Sequence, residues 1–119
     1  MEPIFDRRGN AVSWMKDDII YSLKGRAIAF VRGSNVFSYS AGHLGVLGKG
    51  FFRDHTGGAV AFLRGARGGP IPPIPQIPPI PPIPAIPPIP PIPPIPPIPA
   101  IPSLGWSESS WAAFIAGNE

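Results

Sequence analysis

Apolar and polar positions over residues 4 to 63 recur every 16 residues, four times, without insertion or deletion. Ile4, Ile20, Val36 and Phe52 form one column and Val12, Ile28, Leu44 and Val60 another, with Gly9, Gly25, Ala41 and Gly57 between them. A fixed period of this kind marks one supersecondary unit used several times. The second column is followed by the small residues Ser13, Ala29, Gly45 and Ala61, then by Trp14, Phe30, Val46 and Phe62. Large, small, large is a period of two, so these segments are expected to be strands with the first and third residues on one apolar face. A second short apolar run precedes each (Ile4-Phe5, Ile20-Tyr21, Val36-Phe37, Phe51-Phe52). Polar residues and the glycine column separate the two runs, which predicts a hairpin whose turn uses the positive φ of glycine. Ala41, with Gly42 after it, breaks that column in the third copy, where a shifted or differently shaped turn is expected. Lys16-Asp17-Asp18, Arg32-Gly33-Ser34-Asn35 and Gly48-Lys49-Gly50 join the hairpins with turn-forming chemistry. The expected fold is mainly β: four successive hairpins, with Val12, Ile28, Leu44 and Val60 buried and equivalent under a rotation near 90°.

Beyond Gly69 the pattern changes to a period of three. Ile71, Ile74, Ile77, Ile80, Ile83, Ile86, Ile89, Ile92, Ile95, Ile98 and Ile101 are separated almost wholly by proline, with Gln76, Ala85 and Ala100 as the interruptions. Proline fixes φ, removes the backbone donor and keeps the preceding residue out of the helical region, so polyproline II is the expected conformation. Three residues per turn would align all the isoleucines along one side of a straight rod, and 31 residues at about 3.1 Å each reach roughly 96 Å. After the rod, Trp111, Phe114 and Ile115 recur at helical spacing, with Ser107 or Ser109 as the expected cap and Gly117-Asn118 as the stop. The expected organisation is a hairpin domain over 1–69, the proline segment over 70–102, and a Trp-containing end with a short helix over 103–119.

Composition alters this picture in two ways. The 44% hydrophobic content includes the eleven isoleucines of the rod, so only about 66 residues remain for a core, and each repeat must share its apolar face with its neighbours. There are no cysteines, which excludes disulfides and thiolate chemistry. The N-terminal residues carry Glu2, Asp6, Arg7 and Arg8, no apolar run is long enough to span a bilayer, and a cytoplasmic location is expected. All ten Lys and Arg lie between Arg7 and Arg67 against five acids, a charge of about +5 on the repeats, but they are dispersed as on an ordinary solvated surface and do not point to nucleic acid.

No nucleotide fingerprint, metal-spaced cluster or catalytic constellation is present, so neither enzymatic activity nor a cofactor is expected. His43 falls in the column of Ala11, Ala27 and Ala59 and reads as a repeat variant; His55 falls in a turn, as do Asp17 and Asp18. The candidate binding residues are the eleven isoleucines with Trp106, Trp111 and Phe114. A row of exposed isoleucine is a liability unless something covers it, which points to self-association or to a protein partner, and leaves contact with a membrane surface open.

The segments IFDRRGNAVSW, IYSLKGRAIAF, VFSYSAGHLGV and FFRDHTGGAVAF resemble the four-fold β-flower proteins of bacteria over residues 3 to 63, and the tail of three-residue apolar and proline repeats is similar to that of other members. The resemblance implies four β-hairpins around a pseudo-four-fold axis and implies no activity. From the repeat alone, the competing architecture is an open solenoid like MORN or WG repeats, against which a count of four favours closure. The expected function is a non-enzymatic structural or interaction module presenting the apolar rod and an aromatic anchor; the alternative is a small ligand-binding domain with its site on the axis and the tail as a spacer.

Overall fold

The computed structural model describes residues 1–40 and 42–117; Ala41, Asn118 and Glu119 lie outside the described residues. Eight antiparallel strands follow one another: β1 (Glu2–Phe5), β2 (Ala11–Lys16), β3 (Ile19–Tyr21), β4 (Ala27–Arg32), β5 (Asn35–Ser38), β6 (His43–Gly48), β7 (Phe51–Arg53) and β8 (Ala59–Phe62). Each pairs with its neighbour, and Phe5 of β1 pairs with Phe62 of β8 to close the sheet into a barrel. The closure excludes the open solenoid. The glycine column performs as expected in three loops, with Gly9, Gly25 and Gly57 at φ near +83 to +89°. Two-residue connections between hairpins also use positive φ, at Asp17 and Asp18, Gly33 and Ser34, and Lys49 and Gly50, the geometry that matches the twist of tight β-turns. In the third loop Ser38 N–H donates to Gly42 O at 2.9 Å, as Asp6 does to Asn10 and Ser22 to Arg26, so its closing bond is not shifted.

The strict two-residue alternation expected for β2, β4, β6 and β8 is overturned by a β-bulge repeated in every hairpin. Ile4 pairs with Ser13 but Phe5 with Ala11, so Val12 is an extra residue, and Ile28, Leu44 and Val60 are extra in the same place. A bulge turns two consecutive side chains to one face. Val12 therefore joins Ile4 in the interior cluster, while Trp14 leaves it and packs on the outer face with Ile19, Tyr21, Phe30 and Phe37. Both faces of the sheet are apolar. Inside are Ile4, Ile20, Val36 and Phe52, all fully buried; outside are two aromatic clusters, the second built on Phe5, Phe51 and Phe62.

A short helix, α1 (Trp111–Ala116), covers one mouth of the barrel, lying against β6 and β8. Its cap is Ser110, whose side chain accepts from Ala113 N–H; neither Ser107 nor Ser109 caps it, and Gly117 ends it in the left-handed region as expected. A single helix on a four-hairpin platform cannot treat the repeats alike. Leu44 and Val60 are buried beneath it, whereas Val12 and Ile28 stay half-exposed. The small column is fitted to the same asymmetry: Ser13 Oγ accepts from Trp111 Nε1 at 2.8 Å, and a Cβ on Gly45 would stand 2.7 Å from Phe114 Cε1 and clash with Arg53 O.

The proline segment is not a straight rod. The molecule measures 36 × 34 × 22 Å, less than half the extended reach of 31 residues along its longest axis, and the segment runs round the barrel past the loops of the first, second and fourth hairpins. Among the described residues, no helix is long and apolar enough to cross a membrane.

Gly45→Ala merely restores the residue that the second and fourth hairpins carry at this position. It is nevertheless expected to cost about 1–3 kcal/mol through overpacking against Phe114, measured by chemical denaturation, with Trp111 fluorescence reporting the displaced helix.

Candidate interaction surface

In the IPP triplet only the isoleucine keeps an N–H, so an interruption puts a donor where a proline would have none. Gln76 N–H donates to Gly9 O at 2.8 Å, Ala85 N–H to Gly25 O at 2.9 Å, and Ser103 N–H to Gly57 O at 3.0 Å. Two interruptions of the IPP triplet are thus its anchors, and 76, 85 and 103 fall on a nine-residue series whose remaining position is Pro94, which has no donor to give. That vacancy falls in series with Ala41, the residue that breaks the glycine column. The approach is close: a Cβ on Gly9 would stand 2.7 Å from Ile74 O, one on Gly25 2.7 Å from Ile83 O, and one on Gly57 would overlap Ile101 O. The third interruption, Ala100, lies against Gly57.

Arg53 fastens both ends of the segment. It stands where the other hairpins carry Phe5, Tyr21 and Phe37, is 4% exposed, and lies over the Phe51 ring with 5.5 Å from its guanidinium carbon to the centroid. Its Nη1 donates to Gly57 O and to Ser103 O, both at 2.7 Å, and its Nη2 to Gly68 O at 3.2 Å. Gly68 precedes the first isoleucine and Ser103 follows the last, so one guanidinium closes the loop of chain around the barrel. An Arg in an aromatic column was the sequence signal for this clamp, and its meaning depends on contacts 15 and 50 residues away.

The segment turns its isoleucines outward. All eleven are 88 to 96% exposed, whereas Pro72, Pro75, Pro84, Pro87 and Pro93 are half-buried. The other candidate binding residues lie elsewhere. Trp111 and Phe114 are buried in the interior cluster. Trp106 packs half-buried on Phe51 and Phe62, at centroid distances of 6.1 and 6.0 Å, where it forms a parallel bridge to Ala59. Apart from Leu23 and Leu104, the exposed large apolar side chains among the described residues are therefore the isoleucines, not the aromatic residues of the C-terminal end.

Two polar clusters flank the end of the segment. Asp54 Oδ1 accepts from the Thr56 hydroxyl at 2.6 Å and from Thr56 and Gly58 N–H, while Oδ2 accepts a short bond from the Ser107 hydroxyl. Asp6, Ser22 and Ser38 hold the other loops in the same column, each accepting from the backbone N–H four residues on. Burial pushes the Asp54 carboxyl up, but the donors from Ser107, Thr56 and Gly58 outweigh it and hold the pKa below the ordinary carboxylate value. His43 and His55, unremarkable in sequence, meet at 2.9 Å between Nδ1 and Nε2; His43 Nε2 lies 3.0 Å from Asn35 Oδ1. Burial, and then His55, push the His43 pKa below the ordinary imidazole value. Asp17 and Asp18 remain turn residues. No group of three metal-ligating side chains occurs among the described residues.

Replacing the clamp by an apolar side chain of similar length, Arg53→Met, should leave three carbonyls without their charged donor. A loss of at least about 2 kcal/mol is expected, with new protease cleavage next to Gly68 and Ser103. Asp54 gives a pH test. Its folded-state pKa lies below the unfolded one, so its stabilisation is complete above the unfolded value, near 3.8, and is lost as pH falls through the lower folded value. Asp54→Asn should be less stable at neutral pH and show a shallower decline below about pH 4, as read from denaturation midpoints.

Comparison with known proteins gives one positive result: the model of the family described as 4-fold beta flower protein matches residues 2–115, through the barrel and the proline segment and into α1. No curated protein and no solved structure gives a significant match. A match over nearly the whole length, on a closed ring of four bulged hairpins, places the chain in the 4-fold beta flower family.

Proposed function

We propose that this protein is a non-enzymatic interaction module: a flower of four equivalent hairpins about a pseudo-four-fold axis, sheathed by a polyproline II belt whose outer edge is an isoleucine rim for association with further copies or a protein partner. The observation that carries this reading is the near-complete exposure of all eleven isoleucines. The belt conformation is supported by arithmetic. From Gln76 to Ser103 the chain passes three quadrants, and 27 residues at about 3.1 Å give roughly 84 Å, close to three quarters of the circumference of a disc about 35 Å across. Packing of Ile4, Ile20, Val36 and Phe52 along the axis, beneath Trp111 and Phe114, favours the interaction reading over a ligand on the axis with the tail as spacer.

The rim is convex, which limits what one neighbour can do. Two discs meeting edge to edge cover about three isoleucines each, one quadrant of belt. At roughly 1.5–3 kcal/mol for a fully buried side chain and about half that for partial cover, such a contact is comparable with the cost of association, about 4–15 kcal/mol. Several weak contacts per molecule fit this surface better than one tight dimer does. Because the prolines already fix the backbone, little ordering entropy opposes binding.

Replacing Ile77, Ile83, Ile89 and Ile95 by Ser should leave the barrel folded by near-ultraviolet circular dichroism and abolish the concentration-dependent growth in mass that sedimentation velocity and light scattering are expected to show for the wild type. A wild-type protein that stays a monodisperse monomer at high concentration, with no apolar partner present, would overturn the reading and leave the belt as a sheath.

A further inference from the structure

The rim presents one kind of side chain at one pitch. From Ile71 to Ile101 every third residue is isoleucine, and three residues of polyproline II advance about 9.3 Å. Gln76, Ala85 and Ala100 each take the place of a proline, so no interruption of the triplet removes an isoleucine from the row. Apolar side chains in contact bring their heavy atoms within about 4–4.5 Å of each other. The space between successive isoleucines therefore admits one further aliphatic side chain that touches both. A row of this kind is the complement of an identical row displaced by half a step.

The pitch selects among partners. A helix returns a residue to one face about every 5.4 Å, and a strand turns a side chain to one face about every 6.7 Å. Neither keeps step with the rim. Polyproline II with a period of three does, and this chain's own belt supplies it. Charge agrees with that match. No residue from 68 to 107 is charged, so two rims can meet without bringing like charges of the belt together, while the positive charge of each molecule stays on its repeats.

We propose, resting on the reading of the rim as an interaction surface, that its occupant is the rim of a second copy of this chain, interlocked isoleucine between isoleucine, with both molecules the same way up. Symmetry sets the orientation. A two-fold axis lying along the rows turns one molecule over and carries each isoleucine onto its own counterpart, so the side-chain tips collide. A two-fold axis parallel to that of the barrel runs the rows antiparallel and allows the half-step displacement. Both ends of the belt meet at Arg53, and all eleven isoleucines face outward, so each copy has room for several such neighbours. Repetition of the contact gives a flat layer one molecule thick, with every α1 on the same surface.

The test uses the full chain at concentrations where light scattering detects association. Ile77, Ile83 and Ile89 changed together to Phe should weaken self-association at least tenfold by overfilling the spaces, although the rim becomes more apolar. The same three changed to Ala should also associate weakly alone. An equimolar mixture of the Phe and Ala variants should recover towards wild type, because each enlarged side chain then meets a widened space. Near-ultraviolet circular dichroism checks that both variants keep the barrel. For orientation, Lys16→Cys, at the end of β2 away from the mouth that α1 covers, is biotinylated and the assemblies are decorated with streptavidin-gold for electron microscopy. Gold should fall on one surface of the layer only. Stronger association of the Phe variant, or no recovery in the mixture, would overturn the interlocking and leave the rim an unspecific apolar surface. Gold on both surfaces would overturn the shared orientation. A wild type that never associates would overturn this proposal together with the reading it rests on.

Discussion

The architecture depends on how closely the belt backbone approaches the loop glycines. At Gly9, Gly25 and Gly57 there is no space for a single methyl group, and the glycine carbonyls take the N–H groups of Gln76, Ala85 and Ser103 in turn. The contact requires two independent things of the sequence: a residue without Cβ every 16 positions in the barrel and, every nine in the belt, a residue other than proline at the second position after isoleucine. Both series are kept in three places and both lapse in the third quadrant, at Ala41 and Pro94. Polar attachment at so few points leaves the rest of the hold to apolar contact by the prolines that are half-buried along the segment.

Departures from the sequence repeat are where the four-hairpin barrel meets elements that occur once. Ser13 exists for the indole of Trp111, Gly45 for the ring of Phe114, and Arg53 for the two ends of the belt. Each replaces a residue that the other hairpins could share. The chain uses internal repetition to build the barrel and local exceptions to attach one helix and one belt in a single orientation.

Much of the barrel was legible because its signals are local and repeated. Four copies of one hydrophobic pattern, with glycine at a constant offset in three of them, suffice to predict eight strands and the turns. What escaped was the bulge, because an extra residue leaves no mark in a pattern of large and small side chains; it shows only when Ile4 is paired with Ser13 and Phe5 with Ala11. The period of three was equally plain, but its local chemistry is the same for a straight rod and a curved belt. The choice between them rests on Gln76 and Ala85, which look like lapses in a monotonous repeat until their partners are known. The Arg53 clamp and the half-open mouth come from contacts between distant segments, and no single-sequence pattern encodes which of two hairpins a lone helix will cover.

The nine-residue spacing of the anchors has a bearing on how such a gene can change. A tract of nearly identical triplets is prone to gain or lose copies during replication, and in a free spacer a change of one triplet would only alter its reach. Here it would carry every later anchor past its glycine and move Ser103 away from Arg53. Lengths that differ by one or two triplets lose the hairpin register, and a full nine residues is the smallest step that restores it, at the cost of one quadrant too many for a ring of four. The belt is thus a low-complexity sequence of fixed length, held to its count by the circumference it has to close.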